Sequence, residues 1–493
     1  MKLNKKVRNR FCLISMVVLL TVACDTEKVL NPLPPTQLAE QEAFSSPSRV
    51  LLQVNGLYAS LKSGQFLGGR VQVYNEVRGE DFQNRLGNGV TALFAWNYNQ
   101  LSTNAEPVNV WINGFLTINR CNVFLQGLDN NPNAVEAALA NQYRAEARFI
   151  RAVAYYFLVN LYARPYAIDN GNTPGLPLRL QAETGPANRD LARSTVVQVY
   201  NQIIQDLDFA EENLPLTYSS GLLNVTRAHR NSAIAFKTRV YLAMQRYDDV
   251  IREAVKLAPQ AAAPFSATSG VPHALVPSIL TVFAPPYTSV ESIFSLPMNS
   301  NDVPGVQNGL GHYFNRPGAG FGNGEYYLDP GTQGILNNVA FTATDVRRTD
   351  LLVTVGGLTY VRKYPLNPFT DYPPITRYAE VLLNYAEALV RVNGVADTKS
   401  LNLLNAVRGR SAPAAVYDGA SFETANDLID AILLERRIEL MAEGFRGIDI
   451  TRLAQPLPSK SGVQGSVPTN AQQYIWPIPQ TELDNNRLIE QNQ

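Results

Sequence analysis

The strongest constraint on the fold lies in residues 135–163, where Ala145-Glu-Ala-Arg-Phe-Ile-Arg-Ala-Val-Ala-Tyr-Tyr-Phe157 runs on into Leu158-Val-Asn-Leu-Tyr162. The spacing predicts a helix, the longest in the chain, and its second half is apolar on nearly every face. A helix of that kind belongs inside an assembly of other helices. Candidate partners are spread along the sequence. Helical periodicity predicts elements over 48–62, 107–128, 194–213, 226–244, 247–258, 375–393 and 397–410, and helix returns over 424–453. In 107–128, Val110, Trp111, Gly114, Phe115, Ile118, Cys121, Asn122 and Leu125 fall along one stripe.

The segments 226–244 and 247–258 are joined by only Gln245-Arg246. Ala233, Ala235, Ala243 and Ala254 let two helices approach closely, while Tyr241 and Tyr247 fill the gaps. A second pair is formed by 375–393 and 397–410. The expected class is therefore mostly α: a tetratricopeptide-like helix-pair superhelix, right-handed, with a loop-rich, ligand-binding insert. One domain is expected over 41–493, with its helical scaffold in 41–258 and 375–453. Residues 259–374 interrupt it, dense in Gly, Pro, Asn, Ser and Thr, with strand-like runs only at Ser292–Leu296, Leu351–Val355 and Leu358–Tyr364. Residues 64–106 form a smaller loop-rich insert, and 454–493 a Pro-rich tail. Rigid scaffolds hold and loops recognise, so the inserts are where binding is expected.

The first residues address the chain. Lys2, Lys5, Lys6, Arg8 and Arg10 precede an apolar run from Phe11 to Ala23, and Cys24 follows. This reads as a lipoprotein signal peptide, 1–23, with Cys24 as the lipid-bearing residue and 24–40 as an extended, lipidated tether. The run is too short to span a hydrocarbon core, which needs about 20 residues. The mature chain would carry 37 basic and 42 acidic residues, a balance that gives no basic stripe for nucleic acid. With Cys12 removed and Cys24 lipidated, Cys121 alone remains, so no internal disulfide can form. Its apolar stripe predicts a buried thiol.

Six blocks, in order, resemble the SusD/RagB family of outer-membrane nutrient-binding lipoproteins. They are Trp111–Asn122; Ala145–Phe157 with Leu161, Tyr162 and Pro165; Arg377–Ala388; Leu404–Arg410; Glu435–Arg446 with Asp449 and Arg452; and Trp476–Pro479 with Glu482, Asn485, Gln491 and Asn492. The resemblance implies four tetratricopeptide-like helix pairs carrying an irregular ligand region. It implies a lipid-anchored protein of the cell outer membrane, facing the exterior, that binds a nutrient, foremost an oligosaccharide. It also implies a partner, a TonB-dependent barrel transporter, to which the ligand is delivered. Asp25 and Glu27 are similar to the acidic export signals of surface lipoproteins. A peptide ligand within the same transport system is the alternative, and a surface glycoside hydrolase a further one.

The matched blocks themselves read as structural. Glu435, Glu439 and Glu443 share one helix face at i, i+4 and i+8, where Arg436, Arg437 and Arg446 offer ion-pair partners. Arg144, Glu146, Arg148 and Arg151 read the same way. A sugar needs aromatic faces ringed by amides and charges. Most of the three Trp, 20 Phe and 23 Tyr must be core, so the informative ones stand in polar loops. Trp96 and Tyr98 alternate with amides in Phe94-Ala-Trp-Asn-Tyr-Asn-Gln100. Tyr313 and Tyr326 stand among Gly and Asn in His312–Arg316 and Phe321–Tyr327. In the family, the ligand region draws on corresponding loops. Trp96, Tyr98, Tyr313 and Tyr326 are accordingly expected as stacking platforms, and Asn97, Asn99, Arg316 and Glu325 as hydrogen-bond partners, with Asp81 as a further ligand-binding candidate. No catalytic residue, metal ligand or cofactor is expected. The three histidines, His229, His273 and His312, lack ligand spacing, no phosphate loop or nucleophile elbow occurs, and no calcium loop is evident.

Overall fold

The computed structural model describes residues 40–460 and 462–492. The expected signal peptide, Cys24, Asp25, Glu27 and the extended stretch as far as residue 39 lie outside the described residues. The chain divides after Gln53 into two compact units, and helix α1 (Pro47–Leu61) crosses that division. In the first unit a short helix, Glu40–Ala43, is followed by an ion pair of Arg49 with Glu42 at 3.0 Å.

The second unit holds the remaining elements. They are α2 (Arg70–Val77), β1 (Phe82–Asn84), α3 (Ala105–Asn130), α4 (Ala137–Tyr162), α5 (Val196–Asn213), α6 (Arg230–Ala243), α7 (Tyr247–Leu257), β2 (Ser292–Ser295), β3 (Tyr326–Leu328), β4 (Leu352–Val355), β5 (Leu358–Val361), β6 (Pro374–Arg377), α8 (Tyr378–Asn393), α9 (Thr398–Ser411), α10 (Ala425–Glu439) and α11 (Arg446–Arg452), with short helical turns between. Each long helix packs on the next: α3 on α4, α4 on α5, α5 on α6, α6 on α7, α7 on α8, and α8 on both α9 and α10. The class is mostly α and tetratricopeptide-like, as its helix-pair periodicity indicates. Among the described residues, strands occur as three antiparallel pairs, β1–β3, β2–β6 and β4–β5.

α4 is the axis of this array. Every residue from Ala145 to Val159 except Arg148 is buried, each large apolar side chain contributing about 1.5–3 kcal/mol. Its charges are matched from neighbouring elements: Glu146 by Arg227 at 2.7 Å, Arg151 by Asp206 at 2.7 Å, Arg144 by Asp129 at 2.9 Å. Arg148 lies 4.1 Å over the Phe209 ring. Cys121 is buried in α3, which pushes its thiol up to about 12. A second core joins Ile234, Leu257, Leu382, Leu383, Leu403, Leu404, Leu428 and Ile432 across α6 to α10.

Three expectations are corrected. The helix expected over 226–244 is interrupted: a short helix, Gly221–Thr226, ends at Arg227, which turns extended to reach Glu146, and α6 starts after His229. The helix expected over 424–453 breaks between Leu440 and Phe445, where Ala442 and Gly444 take φ of 63° and 85°. A Cβ at Gly444 would fall 2.6 Å from Gln72 Cα. Glu443 therefore lies past the end of α10 rather than on its face. Thirdly, the loop-rich segment 64–106 contains α2, all of whose residues are buried although Arg70, Gln72, Asn75 and Glu76 are polar. Their partners are internal carbonyls and amides, as for Gln72 on the Leu67 carbonyl and Asn75 on that of Val71.

The carboxylate row is neutralised by arginines from three other segments and by Lys363. Glu435 meets Arg347 and Arg408, the latter at 2.9 Å. Glu439 meets Arg347 and Arg377 at 3.0 Å and Arg410 at 2.5 Å; Glu443 meets Lys363 at 2.7 Å and Arg377 at 2.8 Å. Arg436 pairs with Asp449, and Arg446 with Glu80. Ion pairing accounts for this motif without chemistry. The tail is not loose: Trp476 donates its backbone N–H to the Leu161 carbonyl at 2.8 Å, and Asn492 caps the Tyr162 and Trp476 carbonyls.

Candidate functional site

The β1–β3 pair joins the two loop segments that carry the candidate residues. Phe82 faces Leu328, Gln83 faces Tyr327 and Asn84 faces Tyr326. Arg85 continues the join: its backbone N–H donates to the Glu325 carbonyl, its Nε to that of Gly324 at 2.7 Å and its Nη2 to that of Asn323 at 2.5 Å. The Tyr326 hydroxyl donates to the Thr91 carbonyl at 3.1 Å, and Arg70 spans Asn308 and the Val90 carbonyl. Residues 83–100 and 303–328 thus form one surface, the loop face.

The four rings expected as platforms do not face solvent. Trp96, Tyr98, Tyr313 and Tyr326 are each at most 4% exposed. Trp96 donates its indole N–H to the Phe82 carbonyl at 2.8 Å. The Tyr98 hydroxyl donates to the Arg78 carbonyl at 2.9 Å and lies 2.8 Å from that of Pro458. Both rings enclose Lys460, whose ammonium sits 5.9 Å from the Trp96 centroid and 5.4 Å from that of Tyr98, and donates to the Val77 and Gly79 carbonyls. Burial pulls that ammonium down to about 7, against the attraction of Glu80, Asp81 and Asp329. Tyr313 and Tyr326 stack on each other, centroids 6.3 Å apart, with the Tyr313 hydroxyl on the Gln307 carbonyl at 2.7 Å. These rings lock the loops to the scaffold. Asp81 does likewise: it is buried, paired with Arg437, and accepts the Ile335 N–H at 2.9 Å.

The remaining candidates stand nearer the surface. Asn97 is half-buried and accepts the Asn99 N–H at 3.2 Å; Asn99 is exposed. Arg316 is half-buried, its guanidinium carbon 3.5 Å from the centroid of the half-buried Phe321 ring. Glu325 is buried, accepting from Asn323 at 2.7 Å, with His312 Nε2 3.7 Å away. Burial pushes this carboxyl up, but hydrogen bonding from His312, Asn323 and Thr91 outweighs it and holds the group below the usual carboxylate range.

Sequence reasoning passed over Arg85, Phe94, Phe321 and Phe369 as site residues. Phe94 and Phe369 are half-buried, Phe94 beside Gly89 and Phe369 beside Gly309 and His312. Leu86, Val90 and Val306 are exposed apolar residues, Val306 at 88%. The signal that finds Phe321 is its neighbours, Gly320, Gly322 and Asn323, which lack the hydrophobic flank that marks a plug; Phe94, between Leu93 and Ala95, carries no such signal.

Within 83–100 and 303–328, Glu325 is the only carboxylate, with Asp81, Asp302 and Asp329 just outside these bounds. Among the described residues no cluster of three or more His, Cys, Asp or Glu could hold a metal ion.

Comparisons with known proteins agree with this architecture. A family model described as starch-binding and associating with the outer membrane matches residues 40–242, and the SusD family model matches 369–493. A SusD superfamily protein of Bacteroides fragilis superposes on 91% of this chain and 99% of its own, with a TM-score of 0.81 and 32% identity. SusD-like protein P38 of Formosa agariphila is 23% identical over 99% of both chains. A laminarin-binding SusD-like protein shares the fold at 20% identity, covering 91% of this chain and 99% of its own with a TM-score of 0.71. The sequence blocks, the helix array and these matches converge: the chain belongs to the SusD/RagB family.

Proposed function

We propose that this protein is a cell-surface lipoprotein that captures an oligosaccharide on its loop face and delivers it to a TonB-dependent barrel transporter in the outer membrane. Family membership supports glycan capture, as does the laminarin bound by a neighbour of the same fold. The observation that supports the reading is the β1–β3 join, which ties the segment holding Phe94, Asn97 and Asn99 to the segment holding Arg316, Phe321 and Asn323, over buried rings that are hydrogen-bonded to the backbone. Half-exposed rings supply apolar faces for pyranose rings, and the amides and guanidinium supply hydrogen bonds at their rims. Trp96, Tyr98, Tyr313, Tyr326 and Asp81 act one layer down, holding that surface in shape, and Glu325 orients Asn323. Anchoring through a lipid on Cys24 suits a chain in which no described helix is long and apolar enough to cross a membrane.

A glycan and peptide array, read for binding and for cleavage with detergent-solubilised full-length protein, tests this. The expected result is binding of a glycan class without cleavage. Binding confined to peptides, or turnover of any bound glycan, would overturn it. Delivery is tested separately: the protein should co-purify with a barrel transporter from outer membranes, and isolation without one would remove that part of the reading.

A further inference from the structure

We propose that the loop face is built for an acidic glycan, one bearing carboxylate or sulfate groups, and that Arg316 is the residue that selects for the anion. This rests on the reading of the face as a glycan site and goes on to name the ligand's chemistry.

Three observations converge. First, the acids around the two loops are accounted for. Residues 83–100 and 303–328 contain two arginines, Arg85 and Arg316, and one carboxylate, Glu325; of the acids at their edges, Asp81 pairs with Arg437, Asp302 with Lys62, and Asp329 is buried. The mature chain as a whole leans the other way, with 37 basic and 42 acidic residues. Secondly, the single carboxylate is withdrawn. Glu325 is fully buried, and the groups that meet it are Asn323, His312 and Thr91 rather than either arginine. Arg85 makes its side-chain hydrogen bonds to the Gly324 and Asn323 carbonyls, so its positive charge enters the face without a carboxylate partner.

Thirdly, Arg316 is treated unlike the ion-paired arginines of the scaffold and resembles Arg148, which lies over the Phe209 ring. Arg347, Arg377, Arg408, Arg410, Arg436 and Arg452 each lie within ion-pair distance of a carboxylate. Arg316 instead has its guanidinium carbon over the Phe321 ring, 3.5 Å from the centroid. Stacking on a ring holds the guanidinium plane and leaves its edge, with the N–H fork, free to meet two oxygens at once. That fork matches a planar carboxylate or two oxygens of a sulfate, and such charge-assisted pairs are the strong hydrogen bonds of recognition. The sequence around it, Pro317-Gly-Ala-Gly320, has no bulky side chain to cover the fork.

The test is calorimetric binding of full-length protein to three polymers: laminarin as the neutral probe, polygalacturonate as the carboxylate probe and carrageenan as the sulfate probe. Wild type is compared with Arg316→Gln, and thermal stability is measured for both. We expect one acidic polymer to bind at least about tenfold tighter than laminarin, and Arg316→Gln to lose about tenfold on that polymer with its melting temperature unchanged. Wild-type affinity for it should also fall between about 0.05 and 0.5 M salt, a readout that does not depend on the variant folding. Preference for polygalacturonate or for carrageenan identifies carboxylate or sulfate as the group read. Binding of laminarin as tightly as the acidic polymers, or Arg316→Gln binding like wild type, would overturn the inference and leave glycan capture standing. Failure of wild type to bind any polysaccharide, here and on the array, would overturn both.

Discussion

Trp96 and Tyr98 show how one residue pattern fits two physical roles. Aromatics alternating with amides in a polar segment suit a sugar platform and suit a plug equally well. What decides is Lys460, far away in sequence, whose ammonium both rings enclose. No local signal announces that partner, so the polar setting of these rings was legible and their orientation was not. The consequence is measurable. Trp96→Ala removes a buried indole and its hydrogen bond to the Phe82 carbonyl, and should cost about 3–5 kcal/mol in denaturant unfolding. A loss of glycan affinity with undiminished stability would contradict its place in the floor. A second residue-scale case is the buried pair His229 and His273, whose rings stack at 5.1 Å. Burial, with the neighbouring His273 ring, lowers His229 to about 3, and burial lowers His273 to about 4. The unfolded chain takes up these protons near the ordinary value of 6.5 while the folded chain refuses them. Their contribution is therefore complete above pH 6.5 and is lost as the pH falls toward about 4, by up to about 1.4 kcal/mol per unit for each ring. His229→Leu should flatten the fall in melting temperature over that range. An unchanged acid slope would place the sensitivity elsewhere.

At the scale of elements, the spacing of Glu435 and Glu439 on α10 was readable because helical periodicity is local. Their partners Arg347, Arg377, Arg408 and Arg410 arrive from other segments, whereas Arg436, Arg437 and Arg446, the partners expected from sequence, pair with Asp449, Asp81 and Glu80. The end of α10 was missed for a related reason. The stripe through Ile438, Leu440 and Met441 continues the helical pattern, and only the close approach of Gln72 to Gly444 forces the turn. α2 was missed because its buried polar residues hide its periodicity. The network around Glu439 gives a direct prediction. Burial pushes that carboxyl up, but Arg410, Arg377, Arg347 and Lys363 outweigh it and hold it far below the ordinary range. The stabilisation is present above the unfolded value of 4.5 and is lost as the pH falls below it. Glu439→Gln leaves buried guanidiniums without their charge partner and should cost about 3–5 kcal/mol at neutral pH. A variant as stable as wild type there would show that the network is not holding α10 to β6 and α9.

For the whole molecule, the helix array was legible because α4 cannot exist without helical neighbours, and the ordered blocks pointed to one family. The loop face was legible in part. Both of its segments stood out by composition, but their union depends on β1 and β3, three residues each, too short for a period of two to register. Burial then exchanged the roles within the segments: the conspicuous rings became the floor, while Phe94, Phe321 and Arg316 stand at the surface. The central claim is that this surface binds glycan and does so without cutting it. The most direct measurement is the affinity of wild type and Phe321→Ala for the glycan class found on the array, with melting temperature and product release followed in the same samples. The account predicts at least about tenfold weaker binding by Phe321→Ala, a melting temperature within about 1 °C of wild type, and no released product from either. Equal affinity of the two proteins, or cleavage by wild type, would contradict it.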